Sequence, residues 1–241
     1  MAREFGLGYL PPPPDGRNHQ FLARAMMSQV AAAKKPAPRK APYKEGPILD
    51  QGPNPHCVGF SSRGLLNASP IMVKPDSGPS GSEIYKLAQE LDEWPGNNYD
   101  GSSVNAGCKA LKQLGYIEGY AWFTKMDQII EWVNGGYGTV LVGTNWYDSM
   151  DNVDRNGLIV APSRLAKPVG GHAYRLNWFD IKKKAFLVPN TWGRKWGMPD
   201  CKTGELSGTA YMPLELGERL FFKEEGEVTA PTEIVLKAVR A

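Results

Sequence analysis

Cysteine is scarce in this chain. Cys57, Cys108 and Cys201 are the only three among 241 residues, an odd number at wide spacings. That excludes a dense disulfide framework and a zinc site built from paired ligands. At least one thiol must stay unpaired within the monomer, and a reduced setting is expected. An excess of one charge is lacking too: 28 Lys and Arg stand against 25 Asp and Glu, which speaks against a strongly basic nucleic-acid surface. Long apolar runs are also missing. Met1 to Leu10 lacks the basic segment and apolar run of a secretory signal, and no later run approaches membrane-spanning length. The expectation is a soluble protein, cytoplasmic or virion-associated, with no membrane contact and no cofactor or metal. Neither an internal repeat nor an alternation of strand and helix units is visible, so a parallel α/β sheet is not expected.

Proline and glycine are plentiful, and they mark the joints. Residues 1–47 read as a proline-rich basic arm: Pro11 to Pro14 favour an extended path, Phe21 to Val30 has the length of one short helix, and Lys34 to Pro47 mixes prolines with basic residues. Two readings fit it, a wrapping strap or a disordered basic tail that binds acidic surfaces weakly, and a protein partner could dock through the arm. The core starts near Ile48. A helix is predicted from Cys57, a second after an N-cap at Ser82, a third with Val104, Cys108, Leu111 and Leu114 on one face, and a fourth behind a capping-box-like Thr124 to Asp127. After Gly138 the runs Thr139 to Gly143, His172 to Phe179, Ala185 to Val188 and Thr209 to Met212 read as strands. Helices followed by strands predict an α+β protein with a helical lobe over about 48–136, a β-barrel-like lobe over 137–222, and a tail over 223–241 that packs as one terminal element. Cys108 is expected in the core and Cys201 in an exposed loop. Trp122, Trp132, Trp146 and Trp178 are expected as core or lobe-interface residues, and Lys182 to Lys184 as a solvated turn.

The turn Asp50 to His56 delivers Cys57 to the start of a helix, where free N–H groups and the helix dipole favour a thiolate. A thiol nucleophile needs a base, a group that orients the base, and donors for an oxyanion. Of the three histidines, His19 lies in the arm and His56 is tied to the turn. His172 opens a predicted strand and is the candidate base, and Asn190, at the end of an apolar run between Pro189 and two tryptophans, is the candidate orienter.

These residues resemble the papain-like cysteine peptidase family. The shared pattern is Gln51-Gly52 with Cys57, Gly171-His172-Ala173, Asn190-Thr191-Trp192-Gly193 and Trp196-Gly197, all in the family's order, over about Ile48 to Leu220. The resemblance implies a two-lobed fold, Cys57 as nucleophile, His172 as general base and acid, and Asn190 as orienter. It implies an oxyanion hole from the Gln51 side chain and the Cys57 backbone N–H. It implies substrate binding at Gly101, Ser102, Gly171 and Trp192, and a polypeptide substrate. Lysosomal members carry a cysteine and a tryptophan where Asn54 and Val58 stand here, so the chain is more like short bacterial and phage members without that disulfide or a long propeptide. Activation by removal of a prodomain is therefore not expected. His56 could help or hinder the thiolate. The implied function is hydrolysis of peptide or isopeptide bonds. The alternative is a papain-fold structural or binding component of an assembly such as a phage particle, and acyl transfer or cell-wall amidase chemistry is a third.

Overall fold

The structure, a computed structural model, describes residues 4–13, 39–198 and 207–235. The Phe21 to Val30 helix and Cys201 lie outside the described residues.

Gly52, at φ +60°, turns the chain ahead of helix α1 (Cys57–Asn67). Nearly every residue of α1 is buried, because α1 is packed on several sides at once. Close approach is possible where it carries glycine: a Cβ on Gly59 would stand 2.1 Å from the Gly81 carbonyl oxygen of the next helix. That helix, α2 (Gly81–Leu91), starts at Ser80 rather than at Ser82. Ser80 and Glu83 exchange hydrogen bonds in a reciprocal capping box, and this pair outcompetes a serine already inside the first turn. Helix α3 (Val104–Gln113) is capped by Ser103, whose hydroxyl accepts the Ala106 N–H. Cys108 is buried in it, while Leu114 just past its end is exposed. Helix α4 (Met126–Gly135) has Lys125 at its N-cap and no side-chain cap. The expected box of Thr124 with Asp127 does not form: Thr124 lies one residue before the N-cap and its N–H donates to the Gln128 side chain, while the Asp127 carboxylate accepts the Gln128 N–H.

Among the described residues seven strands form two antiparallel sheets. The larger holds β1 (Ile117–Trp122), β2 (Val140–Trp146), β3 (Gly170–Leu176) and β7 (Glu227–Ile234), in the order β1-β7-β2-β3. The smaller is β4 (Trp178–Asp180), β5 (Ala185–Pro189) and β6 (Thr209–Pro213). A short helix, α5 (Leu214–Glu218), follows β6. Among the described residues the two larger core clusters lie around Trp132, Trp146, Phe186 and Phe221 and around Val58, Leu66, Ile84 and Leu111, and a small third one holds Ala185, Leu187 and Tyr211. Trp122 and Trp178 are half-buried, and the turn Lys182 to Lys184 is exposed. Strand β1 interrupts the half expected to be helical, and β7 brings the chain end between β1 and β2.

Strand β3 connects the pieces that matter for chemistry. Helix α1 lies on it, with the Ser61 hydroxyl on the Ala173 carbonyl at 2.7 Å. Arg175, further along β3, makes a two-pronged ion pair with Glu45 at 3.0 and 2.8 Å, which ties the segment before the core to the sheet. No helix among the described residues is long and apolar enough to cross a membrane.

Candidate active site

Cys57 is the first residue of α1, and no side-chain oxygen caps that helix start, so its positive end faces the thiol. Across from it, β3 places His172, paired with Thr144 of β2 and wholly buried. The Cys57 sulfur accepts the N–H of Ala173 at 3.4 Å, which sets the thiol against the strand at the residue next to His172. His172 Nε2 meets Asn190 Oδ1 at 2.8 Å. That oxygen also accepts the Thr191 N–H at 2.8 Å, which fixes the amide orientation. An accepting Oδ1 requires the proton on Nε2 and leaves Nδ1 as the basic nitrogen. Trp192 stacks on the imidazole at 4.3 Å and Trp146 meets it edge-on at 4.8 Å, so the ring is held from both sides.

Gln51 is the next group. Its Oε1 accepts the Thr191 hydroxyl at 2.5 Å, which turns Nε2 into the cleft. There Nε2 donates to the Asn54 carbonyl at 2.7 Å and to the Gly6 carbonyl at 3.2 Å. The Gly6 carbonyl also accepts the Trp192 indole N–H at 3.2 Å, so one backbone oxygen of the 5–10 segment takes donors from both Gln51 and Trp192.

The rest of that segment fills the cleft. Phe5 stacks on Trp192 at 4.6 Å. The Gly8 and Tyr9 N–H groups both donate to the Gly171 carbonyl, at 3.0 and 2.9 Å. On the other wall the Ser102 N–H donates to Gly8 and the Leu10 N–H to Ser102, both at 2.9 Å, as a parallel bridge. Only glycine lets the strap lie this deep: a Cβ would stand 2.0 Å from the Asn54 oxygen at Gly6 and 1.9 Å from the Pro55 oxygen at Gly8. Gly101 sits against the strap as well, its N–H held by the Tyr85 hydroxyl. All of Cys57, His172, Asn190, Gln51, Gly101, Ser102, Gly171 and Trp192 thus meet in one cleft. Residues 5–10 lie over the cleft as a short extended strap, the first of the two readings of the arm, and they carry none of the helices of a long propeptide.

The cover has an electrostatic effect. Burial pushes the Cys57 thiol up to about 12, against the smaller opposing pull of the Ala173, Gly8 and Val58 N–H groups. In this closed state the thiol is neutral. His56 plays no part in holding it: the ring stacks on Tyr85 at 4.2 Å, its Nδ1 meets the Ser82 hydroxyl at 3.2 Å, and burial with Lys86 nearby lowers its pKa.

Sequence reasoning gave no role to Thr191, Tyr9 or Glu227, and it read Trp146 as the core residue it is, without its edge-on contact to His172. Thr191 lay inside the Asn-Thr-Trp-Gly motif and was findable from its place beside Asn190. Tyr9 and Glu227, joined only by the fold, left no local signal. Among the described residues no group of three or more His, Cys, Asp or Glu is arranged to hold a metal ion.

No family model matches the sequence. A curated relative, the uncharacterized peptidase C1-like protein L477 of Acanthamoeba polyphaga mimivirus, is 36% identical over 47 residues, which is 20% of this chain and 15% of that protein. Solved structures extend the likeness to the whole chain. Xylellain, a cysteine protease from Xylella fastidiosa, superposes with a TM-score of 0.65 at 17% identity, covering 98% of this chain and 99% of its own. The cysteine protease and lectin-like domains of Cwp84, a surface-layer associated protein of Clostridium difficile, give 0.55 at 14% identity, covering 96% of this chain and 56% of that one. Digestive procathepsin L 3 of Tenebrio molitor larval midgut gives 0.52 at 13% identity, covering 86% and 78%. The chain has the papain-like α+β fold of two lobes.

Proposed function

We propose that the chain is a cysteine peptidase that hydrolyses peptide or isopeptide bonds through an acyl-enzyme on Cys57, and that the strap holds it closed. The observation that carries this reading is the 2.8 Å contact of His172 Nε2 with Asn190, made beside a sulfur at the start of a buried helix. Once the strap leaves and water enters, His172 Nδ1 takes the thiol proton and the sulfur attacks the substrate carbonyl carbon. Gln51 Nε2 and the Cys57 N–H stabilise the oxyanion, each donor contributing on the order of 3 kcal/mol. His172 then protonates the leaving amine, and a water activated by the same nitrogen releases the acid and frees Cys57.

The test opens the strap without touching the catalytic groups. Gly8→Val drives its side chain into Pro55 and is expected to give a chain that cleaves a fluorogenic peptide and takes one equivalent of a peptidyl epoxide on Cys57. Adding Cys57→Ala should abolish both. A second reading, a structural or binding component, is favoured by the complete burial of Cys57. An opened chain that neither cleaves nor labels would establish that reading and sink the first. Product analysis with an added amine separates hydrolysis from acyl transfer.

A further inference from the structure

Among the described residues two arginines are buried, Arg175 and Arg63, each 4% exposed. Arg175, on β3 beside Gly64 of α1, has its counter-ion in the Glu45 carboxylate. Arg63, in the middle of α1, pairs with no carboxylate among the described residues. Its Nη2 donates to the Lys74 and Pro75 carbonyl oxygens, at 2.9 and 3.1 Å. Those oxygens take hydrogen bonds but carry no formal charge to offset the guanidinium. Asp76, next along the same loop, is exposed and forms no ion pair with it. Arg63 Nη1 is buried and donates to nothing. Burial lowers the Arg63 pKa, and the group that opposes this is Tyr116, a phenol. A guanidinium taken out of water without a partner is a cost that an accompanying anion removes.

The unused Nη1 faces a definite place. The loop from Val73 to Ser80 crosses α1 there, and Gly78 turns it at φ +77°. A Cβ on Gly78 would stand 2.6 Å from the Tyr116 hydroxyl oxygen, 3.0 Å from Arg63 Nη1 and 3.4 Å from a Val73 methyl carbon. Phenol and guanidinium therefore converge on the bare face of Gly78, two donors with an apolar wall beside them. Both lie within reach of one monatomic ion, and they stand too close together to admit a bulky one. Gly78 is itself exposed while Arg63 and Tyr116 are buried, so this face is reached from solvent at residue 78. Any side chain at that position would fill the space the donors share.

We propose that Arg63 Nη1 and the Tyr116 hydroxyl form a binding site for a small monovalent anion of the chloride class, entered beside Gly78, which supplies the missing counter-ion of helix α1. The site stands apart from the cleft and does not depend on the peptidase reading. Its test is thermal unfolding of the full chain as chloride replaces gluconate, an anion too bulky for the face of Gly78, at constant ionic strength up to about 0.3 M. The midpoint of the parent is expected to rise saturably, by roughly 4 °C. Tyr116→Phe removes one donor and keeps the ring, so it should need at least tenfold more chloride for the same rise. Arg63→Met keeps the stem and should show no rise. Crystals of the parent grown in bromide should carry an anomalous-scattering peak beside Arg63 Nη1. A flat response of the parent overturns the proposal whether or not either variant folds, and leaves water alone at the site. A rise that is equal in the parent and in Tyr116→Phe also overturns it, since chloride then acts on the chain at large. Bromide found elsewhere and absent from Arg63 does the same.

Discussion

Under the proposed mechanism, Gln51 is held in its working orientation before any substrate is present. Its amide is fixed at the oxygen end by the Thr191 hydroxyl and at the nitrogen end by Asn54, so the remaining N–H has one direction left, toward Gly6. A donor that needs no reorganisation acts on the transition state more than on bound substrate. In the strap-opened chain, Gln51→Ala is therefore expected to lower kcat by roughly 10²–10³ and leave KM nearly unchanged. A rise in KM with kcat intact would show that Gln51 only binds substrate. Thr191→Val should give a smaller loss of the same kind. The candidate groups around Cys57 were legible in sequence because each sits in a short run with its own character: Gln-Gly before the turn, Gly-His-Ala at a strand start, Asn-Thr-Trp-Gly after an apolar run. Tyr9 was not, because nothing in Gly-Leu-Gly-Tyr-Leu marks where an extended segment will lie.

Helix α2 tests how local signals set an element. Ser80 accepts the Glu83 N–H at 3.2 Å while the Glu83 carboxylate accepts the Ser80 N–H at 2.7 Å. Replacing Ser80 by Ala should cost about 1 kcal/mol in urea unfolding. Alkylation of Cys57 should not change, since the cap lies on the surface. A loss well above that would mean α2 also holds the strap. Reading the start at Ser82 failed because the apolar period begins at Ile84 and the glycine between Ser80 and Ser82 hides the better cap. Strand β1 escaped detection for a related reason: its pairing to β7 shifts register at Gly119, so its sequence does not alternate. Strand β7 opens with the buried Glu227 and carries Pro231, neither of which reads as a strand interior. The helices and the strands after Gly138 were legible because apolar periodicity alone describes them.

At the scale of the whole molecule, Glu227 ties the sheet to the helices. It lies on β7 between β1 and β2, and its carboxyl takes the first two N–H groups of α3. The groups facing it come from every neighbouring element: Tyr9 from the strap, Tyr120 from β1, Cys108 and Lys109 from α3, and Glu93 ahead of α3. Lys109 is ion-paired with Glu93 at 2.9 Å, and its pull on Glu227 is smaller than the effect of burial. Burial raises its pKa from 4.5 to about 8, against the pull of the Val104 and Asn105 N–H groups. The folded chain thus binds a proton that the unfolded chain gives up between about pH 4.5 and 8. Stability must fall as pH rises through that window, by at most about 5 kcal/mol from this group. The carboxylates with lowered pKa, such as Glu93, work in the opposite sense, so the raw stability curve mixes the two. Comparing the parent chain with Glu227→Gln removes the mixture, because every other group is common to both. Measured by urea unfolding, the advantage of the parent over Glu227→Gln should shrink steadily from pH 5 to pH 8 and level off above. A difference that stays constant with pH would mean that Glu227 is ionised in the folded chain and that the two α3 donors outweigh its burial.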